Sequence, residues 1–350
     1  MLDKCQIREL VGEFGSQVSK GRNIEELIVD GELPRLKNCM VQKGKVSDSV
    51  FGEHLVTRLG VPIRLMFRNS RISTHDVHRG AIPFKDQVLA LNHDAMLKLV
   101  GPILGDSQFK IDALKPTSTV IPAENLKLIH FENVLRAFMA ESSTSTSLYQ
   151  NYVDAQKKGD NSLDFGGHSL KLSDLGPNCA LPYVMDTPST KEAEDKTVDP
   201  SYLIAAEVFN KEQYQQIRNS SIMAFGIVSQ VLKTRNMVLV DTKTEHGINS
   251  KGAITVADEL YTMDSSRFWQ LDGCGNLVER DGKPTSFSKE FARDMVVKPT
   301  QVFDDAQSKK IAERYIEGLQ HLLDEPFEPD LRDRDERVIE STNLILDELL

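Results

Sequence analysis

The segment from Val238 to Trp269 constrains the fold most, because it contains two apolar runs joined by a short turn-forming stretch. The runs read VLVDTKTEH and AITVADEL, and the residues between them read GINSKG. Strand-like runs separated by Gly, Asn and Ser are typical of a β-hairpin. The sequence therefore predicts two paired strands here, and each of them leads into charged residues.

The charged residues of this hairpin are expected to lie close together. Alternate residues of a strand point to the same side, so Asp241, Lys243 and Glu245 should share one face. Asp258 and Glu259 follow the second run and come near that face if the two strands pair. Neighbouring carboxylates repel each other unless a cation lies between them, and Mg²⁺ prefers oxygen ligands. We interpret the hairpin as a Mg²⁺ site completed by substrate phosphates; the alternative is a hairpin whose charges face solvent.

The composition of the chain restricts the class of protein. Its 350 residues are 40% hydrophobic, which is enough for two modest domains or one large one. A net charge of −10 argues against a general basic surface for nucleic acid. The four cysteines lie far apart, with no spacing typical of a zinc site or a disulfide framework. No apolar run approaches the roughly 20 residues of a membrane span, and the N-terminus lacks a signal-peptide core. A cytoplasmic protein without nucleic-acid or membrane partners is predicted.

Apolar periodicity predicts an alternation of helices and strands along the chain. An amphipathic helix is expected from Asp3, and strand-like pieces GVPIRLMF and AIPFKDQVL precede a helical stretch NHDAMLKLV. LIHFENVLRAFM is predicted to be a buried strand, and the Ser/Thr-rich ESSTSTSLYQNY to be a solvated loop. LGPNCALPYVMDTPSTKEAEDKTVDP is predicted to be irregular. KEQYQQIRNSSIMAFGIVSQVLKTRN and DDAQSKKIAERYIEGLQHLLDE are predicted to be long helices, and the C-terminal residues a charged linker that ends in a short helix.

These elements indicate an α+β protein with four consecutive segments. Residues 1–40 are predicted to be an N-terminal helical extension and residues 41–125 a small strand-rich lobe. Residues 126–325 are predicted to form a larger α+β lobe that carries the charged hairpin, and residues 326–350 a charged tail. Ligands commonly bind in clefts between lobes. The sequence does not decide whether copies of the chain form a homo-oligomer.

Several motifs occur in an order that resembles the SAICAR synthetase family. VLVDTKTEHG, ADELYTMDSSRFW and SFSKEFARD are similar to consecutive signature segments of that family, and KGKVSD, ENVLRAFM and MDTPSTKEAE are similar to others. The likeness extends over about residues 41–323. It implies a two-lobed SAICAR synthase-like fold with a small ATP-binding lobe and a larger lobe that holds the metal and the nucleotide substrate.

The resemblance also implies a reaction. The family joins the carboxylate of carboxyaminoimidazole ribonucleotide to the amine of L-aspartate, using ATP and releasing ADP and phosphate. A carboxylate resists nucleophilic attack, so ATP first converts it into an acyl phosphate. Such phosphoryl transfer depends on positioning and on neutralisation of charge by Mg²⁺ and cationic side chains. ATP and Mg²⁺ are therefore the cofactors that the resemblance implies.

Site residues are implied position by position. Glu245 and Asp258 match the family's metal-binding carboxylates, and with Gly44 and Lys45 they form the expected ATP site. Lys243, Asp241 and Arg267 are the expected catalytic residues. The expected substrate-binding residues are Arg136, Ser147, Arg267, Asp264, Lys191, Ser189, Thr190 and Arg71.

Three substrate-binding segments depart from the family pattern. Ser70 stands where the family has an acidic residue, TSLYQNY replaces a glycine-bearing segment, and DKTVDP lacks the family's histidine. Two alternatives therefore stay open. One is a divergent paralogue that uses ATP and Mg²⁺ on another substrate, and the other is a catalytically inactive relative that acts as an interaction protein.

Overall fold

The computed structural model describes residues 1–74, 77–142, 144, 147–192 and 195–350, which form helices and strands in mixed order. The α-helices are α1 (Lys4–Ser19), α2 (Ile24–Val29), α3 (Lys85–Leu104), α4 (Leu148–Lys158), α5 (Pro200–Ala205), α6 (Lys211–Thr234), α7 (Glu290–Asp294), α8 (Asp305–Leu323) and α9 (Arg334–Leu349). The strands are β1 (Met40–Lys43), β2 (Ser47–Val56), β3 (Pro62–Arg68), β4 (Arg71–Thr74), β5 (Val77–Ala81), β6 (Val120–Glu124), β7 (Lys127–Phe138), β8 (Ser162–Phe165), β9 (His168–Lys171), β10 (Ala180–Asp186), β11 (Ser189–Thr190), β12 (Met237–Ile248), β13 (Ile254–Ala257), β14 (Ser266–Gln270), β15 (Glu279–Arg280) and β16 (Lys283–Pro284). The predicted α+β class is confirmed.

The chain divides into two compact units that are not continuous in sequence. The first unit contains Met1–Ala95, Ser107–Asn125 and Phe287–Leu350, and the second contains Met96–Asp106 and Leu126–Ser286. The predicted division into four consecutive segments differs from this grouping. In this grouping, both chain ends and the residues from Phe287 onward belong to the first unit. The division into residues 1–40, 41–125, 126–325 and 326–350 stays a prediction.

The first unit is built on a four-stranded antiparallel sheet in the order β1-β2-β3-β6. Its core also includes apolar residues of α2 and α9. The Arg337 side chain of α9 is fully buried, and it donates hydrogen bonds to the carbonyls of Thr117 (2.6 Å) and Val18 (3.0 Å). Its Nη2 also lies 3.5 Å from the buried carboxylate of Asp86. The C-terminal helix is therefore part of this unit's fold, because its apolar face and a buried guanidinium are both used inside the unit.

The second unit is built on a six-stranded sheet. Its strands run in the order β10-β7-β12-β13, with β11 also pairing with β7 and β14 with β12. Helix α6 covers one face of this sheet, where Asn133 donates hydrogen bonds to Ser221 of α6 (2.9 Å) and Thr244 of β12 (3.1 Å). His246 is buried on the same face and stacks on Phe131. Since side chains alternate along β12, the residues between these positions point to the opposite face.

The predicted charged hairpin is confirmed as the antiparallel pair β12 and β13, and the predicted strand LIHFENVLRAFM is confirmed as β7. The helices predicted from Asp3 and in the two long amphipathic segments are confirmed as α1, α6 and α8. Within the described part of the chain, none of the helices combines the length and the apolar character that a membrane span requires.

Three local predictions were wrong for part of their segments. The strand-like AIPFKDQVL ends its extended part at Ala81 and continues as α3, where buried residues recur at the helical spacing of Val88 and Asn92. The segment predicted to be a solvated loop continues as α4 from Leu148, because Ser147 caps the N-terminus of this helix. Residues 143, 145 and 146 of that segment lie outside the described residues. The segment predicted to be irregular contains β10 and β11, and both strands form antiparallel backbone hydrogen bonds with β7.

Candidate active site

One face of the sheet in the second unit carries a concentration of charged side chains. Asp241, Lys243 and Glu245 alternate along β12 as predicted, and no register shift interrupts the pairing of Asp241–Thr244 with β7. Arg136 of β7 lies in register with Asp241, and Arg267 of β14 lies in register with it from the other side. The three strands therefore bring residues from distant parts of the sequence onto one surface.

Asp241 lies between two arginines. Arg267 Nε is 3.0 Å from each carboxylate oxygen, its Nη2 donates to the same group, and Arg136 Nη1 is 3.4 Å away. Burial lowers the pKa of Arg136, and the charge of Arg267 lowers it further, although Asp241 acts in the opposite direction. One carboxylate can neutralise only one of two guanidinium groups. The cluster of these three residues therefore carries a net positive charge, which suits an anionic ligand.

Lys243 has Glu132 of β7 as its partner. Lys243 Nζ donates to Glu132 Oε1 at 2.5 Å, and Ser189 Oγ donates to Glu132 Oε2 at 3.2 Å. Burial opposes the charge on Lys243, but the charge of Glu132 and its hydrogen bond together raise the pKa of Lys243 above its ordinary value. Lys243 is therefore cationic at neutral pH. Glu132 was not among the predicted site residues; the available signal was a single carboxylate within the apolar run LIHFENVLRAFM.

The two predicted metal ligands lie at the open end of the β12–β13 hairpin, opposite its turn. Glu245 is in register with Ala257, and Asp258 is the next residue, so both carboxylates occur where β12 and β13 pair. Asp258 is exposed and has a left-handed φ of 57°, which turns the chain away from the strand. Glu245 is bound by the Lys191 ammonium.

This donor set fits Mg²⁺ held mainly by substrate phosphates. Carboxylate oxygens are the ligands that this ion prefers, and it commonly takes only one or two of them from the protein. Across residues 1–74, 77–142, 144, 147–192 and 195–350, there is no cluster of three or more His, Cys, Asp or Glu side chains that could hold a metal. A metal here would therefore need phosphate or water ligands in addition to Glu245 and Asp258.

The other predicted substrate-binding residues of the second unit occupy supporting positions. Thr190 Oγ1 accepts a hydrogen bond from the Lys196 amide at 3.1 Å, and Asp264 lies in the turn that precedes β14, where its amide donates to Thr262 Oγ1. Ser147 is the N-cap of α4, where its hydroxyl accepts from the Gln150 amide at 3.2 Å. These three residues are thus used in local hydrogen bonds, whereas Ser189 and Lys191 reach the charged face directly.

Gly44, Lys45 and Arg71 belong to the first unit. Arg71 Nη2 donates to the Gly44 carbonyl (2.8 Å) and to Asp48 Oδ1 (2.5 Å), and the Gly44 amide donates to the same carboxylate (3.2 Å). A Cβ atom at Gly44 would lie 2.3 Å from the Ser47 carbonyl oxygen, so the turn between β1 and β2 requires glycine. These contacts fix the turn that presents the exposed Lys45.

Arginine and lysine side chains on one sheet face are typical of a phosphate-binding protein, and comparison with known proteins identifies the family. The family model described as SAICAR synthetase matches residues 59–310, and the chain belongs to that family. A protein of Legionella pneumophila (strain Paris) named phosphoribosylaminoimidazole-succinocarboxamide synthase, a ligase, is 28% identical over 295 residues, which cover 81% of this chain and 88% of that protein.

Solved structures show the same fold. SAICAR-synthase from Saccharomyces cerevisiae, complexed with SAICAR, aligns with a TM-score of 0.67 and 21% identity over 88% of this chain and 99% of that one. A type-2 SAICAR synthetase in complex with ADP aligns with a TM-score of 0.59 and 18% identity over 83% of this chain and 100% of that one. The predicted SAICAR synthase-like fold is therefore confirmed.

Proposed function

We propose that this chain is an ATP-dependent carbon–nitrogen ligase of de novo purine biosynthesis. It joins the carboxylate of carboxyaminoimidazole ribonucleotide to the amine of L-aspartate and releases SAICAR, ADP and phosphate. The observation that carries this proposal is the charged face formed by β7, β12 and β14, in a chain that belongs to the SAICAR synthetase family. The relatives' names and their complexes with SAICAR and ADP support the substrates.

The reaction requires two displacements. A carboxylate oxygen of the ribonucleotide attacks the γ-phosphorus of ATP, and the bond to ADP breaks. The aspartate amine then attacks the acyl carbon, and the phosphate leaves as the carbon–nitrogen bond forms and the amine loses a proton. Both steps move negative charge between oxygens, so fixed cations close to these oxygens lower the barrier.

The charged face offers a group for each of these demands. Arg136 and Arg267 hold the phosphate of the ribonucleotide, because their shared carboxylate leaves the pair net positive. Lys243, kept cationic by Glu132, stabilises charge on the transferred phosphoryl group. Glu245 and Asp258 hold Mg²⁺. Bound Mg²⁺ would supply neutralisation and orientation of the ATP phosphates.

The segment Ser189–Lys191 is the proposed site for the two carboxylates of the aspartate substrate. In the structure, Lys191 pairs with Glu245 and Ser189 with Glu132, so both donors currently satisfy protein carboxylates. Because Glu245 is also the proposed metal ligand, metal binding there would compete with Lys191 for the same oxygens. Lys191 would then be able to bind a substrate carboxylate.

The proposed function is tested by supplying the purified chain with ATP, Mg²⁺, carboxyaminoimidazole ribonucleotide and a panel of amines, with ADP release and product mass as readouts. We expect stoichiometric ADP and succinocarboxamide product with L-aspartate only. ADP release with a different amine or a different carboxylate would favour the divergent paralogue. An absence of ADP release with every combination would favour the inactive interaction protein. Cytoplasmic location and the lack of a nucleic-acid partner stay predictions of the same proposal.

Replacing Lys191 with alanine should raise the KM for L-aspartate about tenfold or more, because a lost charge-assisted hydrogen bond is worth roughly 1.5–3 kcal/mol. The KM for ATP should change much less. Lys196→Ala is the matched control, since this exposed lysine lies in the same segment and its side chain makes no hydrogen bond or ion pair with the residues that the structure describes. Steady-state kinetics with each substrate varied in turn distinguish the two variants. An equal rise of both KM values in Lys191→Ala would remove this lysine from the aspartate site.

Replacing Arg267 with lysine should weaken use of the ribonucleotide even though the charge is kept. Arg267 donates to Asp241 from both Nε and Nη2, a planar arrangement that a single ammonium cannot reproduce. We expect the KM for the ribonucleotide to rise and the KM for ATP to stay near its original value. Arg280→Lys, at an exposed arginine of the same unit, is the control. An unchanged ribonucleotide KM would leave Arg267 with a purely structural role.

A further inference from the structure

A small hairpin of the second unit lies outside the six-stranded sheet and is not used in the proposed chemistry. It consists of β8 and β9, which pair from Ser162 with Lys171 to Phe165 with His168. Its apolar side chains pack with α4 and β10 in a separate hydrophobic cluster, so it is held firmly by its own core. The cluster includes Leu148, Tyr152, Leu163, Phe165, Leu170, Leu181 and Met185.

Residues in and beside the turn of this hairpin contact Arg136 and the neighbouring residues Asp186 and Thr187. The guanidinium carbon of Arg136 lies 5.9 Å from the centre of the Phe165 ring. A Cβ atom at Gly166 would lie 3.1 Å from Thr187 Cβ, so the hairpin backbone is in close contact with that threonine. His168 Nε2 lies 2.8 Å from the Asp186 carbonyl oxygen. Phe165, Gly166 and His168 therefore contact Arg136, Thr187 and Asp186, respectively.

Thr187 connects the hairpin to Arg136. Arg136 Nε donates to Thr187 Oγ1 at 3.0 Å, and the Thr187 amide donates to the Val134 carbonyl at 2.8 Å. Thr187 is fully buried, so its position is set by the groups packed around it. Within the described part of the chain, Nη2 of Arg136 has no hydrogen-bond partner, so that nitrogen can donate to an anion.

Asp186 secures the same segment from the other side of the backbone. Its carboxylate accepts hydrogen bonds from Tyr214 and from Arg218 Nε (2.8 Å), and His168 Nε2 is 3.5 Å from its second oxygen. Burial alone would raise the pKa of Asp186, but these three donors lower it to about 2. The Asp186–Thr187 pair is thus clamped between α6 and the hairpin and has little freedom to shift.

We propose that the β8–β9 hairpin is a positioning element that sets the orientation of Arg136 through Thr187. This inference rests on the proposed function, because it assigns Arg136 to the phosphate of the ribonucleotide. Arg136 has two hydrogen-bonded anchors, Thr187 and Asp241, and a long side chain without the first of them would sample other rotamers. Loss of the hairpin contact should therefore weaken the ribonucleotide and leave ATP unaffected.

The test compares alanine substitutions at two glycines. Gly166 and Gly159 have left-handed φ angles of 59° and 78°, so alanine is strained at both, but only at Gly166 does the added Cβ meet a neighbour. We expect Gly166→Ala to raise the Kd and the KM for the ribonucleotide on the order of tenfold, since small misplacements of a binding group have large effects. Gly159→Ala should keep both values while losing similar thermal stability. Calorimetry and steady-state kinetics supply the readouts.

A second set of variants covers the case in which Gly166→Ala does not fold. Thr187→Val removes the hydroxyl that accepts from Arg136 and should reproduce the loss, and Thr187→Ser keeps that oxygen and should restore most of the affinity. Where Gly166→Ala does fold, adding it to Thr187→Val should change the ribonucleotide affinity little, because both act through one contact. The KM for ATP should stay unchanged in every variant.

Three outcomes overturn these proposals in distinguishable ways. Equal ribonucleotide Kd values in Gly166→Ala and Gly159→Ala, or an unaffected Thr187→Val, would overturn the positioning role. An original chain that binds the ribonucleotide but forms no product would overturn the ligation, and the Kd values would still decide the role of the hairpin. An original chain that does not bind the ribonucleotide would overturn both proposals.

Discussion

Replacing Glu245 with glutamine should abolish product formation, with a loss of at least about 10²–10³-fold in kcat, because it removes a charged oxygen ligand from the metal site. The carboxamide keeps the size of the side chain, and Glu245 is partly exposed at the end of the hairpin, so the fold should be retained. ADP release measures the activity, and circular dichroism confirms the fold. Binding of ADP should also lose most of its dependence on Mg²⁺, which calorimetry with and without the ion would detect.

The control for this variant is Glu279→Gln. Glu279 is an exposed glutamate of the short strand β15 in the same unit, so its loss removes an equal charge outside the six-stranded sheet. It should keep full activity and the full Mg²⁺ effect on ADP binding. Turnover near the original level in Glu245→Gln would show that this carboxylate is not a metal ligand, and the hairpin would then be one whose charges only face solvent.

Asp241→Asn should cause the largest loss of stability of any single substitution on the charged face. The Asp241 side chain is 11% exposed, and its two partners, Arg136 and Arg267, are 15% and 13% exposed. Removing one partner of a buried ion pair costs about 3–5 kcal/mol, because the remaining charge stays buried without compensation. Here two guanidinium groups would lose their shared counter-ion and repel each other. Urea unfolding followed by circular dichroism should show a much lower midpoint, and turnover should fall as both arginines shift.

The matched control is Asp154→Asn on α4. Asp154 forms an ion pair with Lys157, but their side chains are 61% and 71% exposed, so water already screens the interaction. This variant should unfold at nearly the same urea concentration as the original chain. If Asp241→Asn unfolds at the same urea concentration as the original chain, the ion pairs of Asp241 with the two arginines do not stabilise the fold.

The charged hairpin could be predicted from the sequence because its signals are local. Apolar runs around GINSKG predict two strands, and the alternation of side chains places Asp241, Lys243 and Glu245 on one face; the structure has both features. The long helices were also predictable, since their apolar spacing repeats over several turns. Local patterns failed at α3, because Ile82 and Phe84 look strand-like although only the residues up to Ala81 are extended.

The partners of these residues could not be predicted, because they come from distant parts of the chain. Lys243 and Glu132 are 111 positions apart, and they meet only because β7 and β12 pair in one particular register. Alternation predicts which side of a strand a residue faces, but the neighbouring strand and the register are set by packing of the whole unit. The roles assigned to Lys243 and the other site residues stay predictions, which the variants described above test.

What the sequence by itself determined was the charged hairpin, the long amphipathic helices and the chemistry available on one strand. Only the tertiary structure decided that Asp241 lies between two arginines, that Glu132 pairs with Lys243, and that Gly166 packs against Thr187. It also decided that α9 belongs to the core of the first unit, where Arg337 is buried. The physical reason is that periodicity along the chain reports only which side of a helix or strand faces solvent. The counter-ion and the packing partners of a residue depend on which distant segments the fold buries against it.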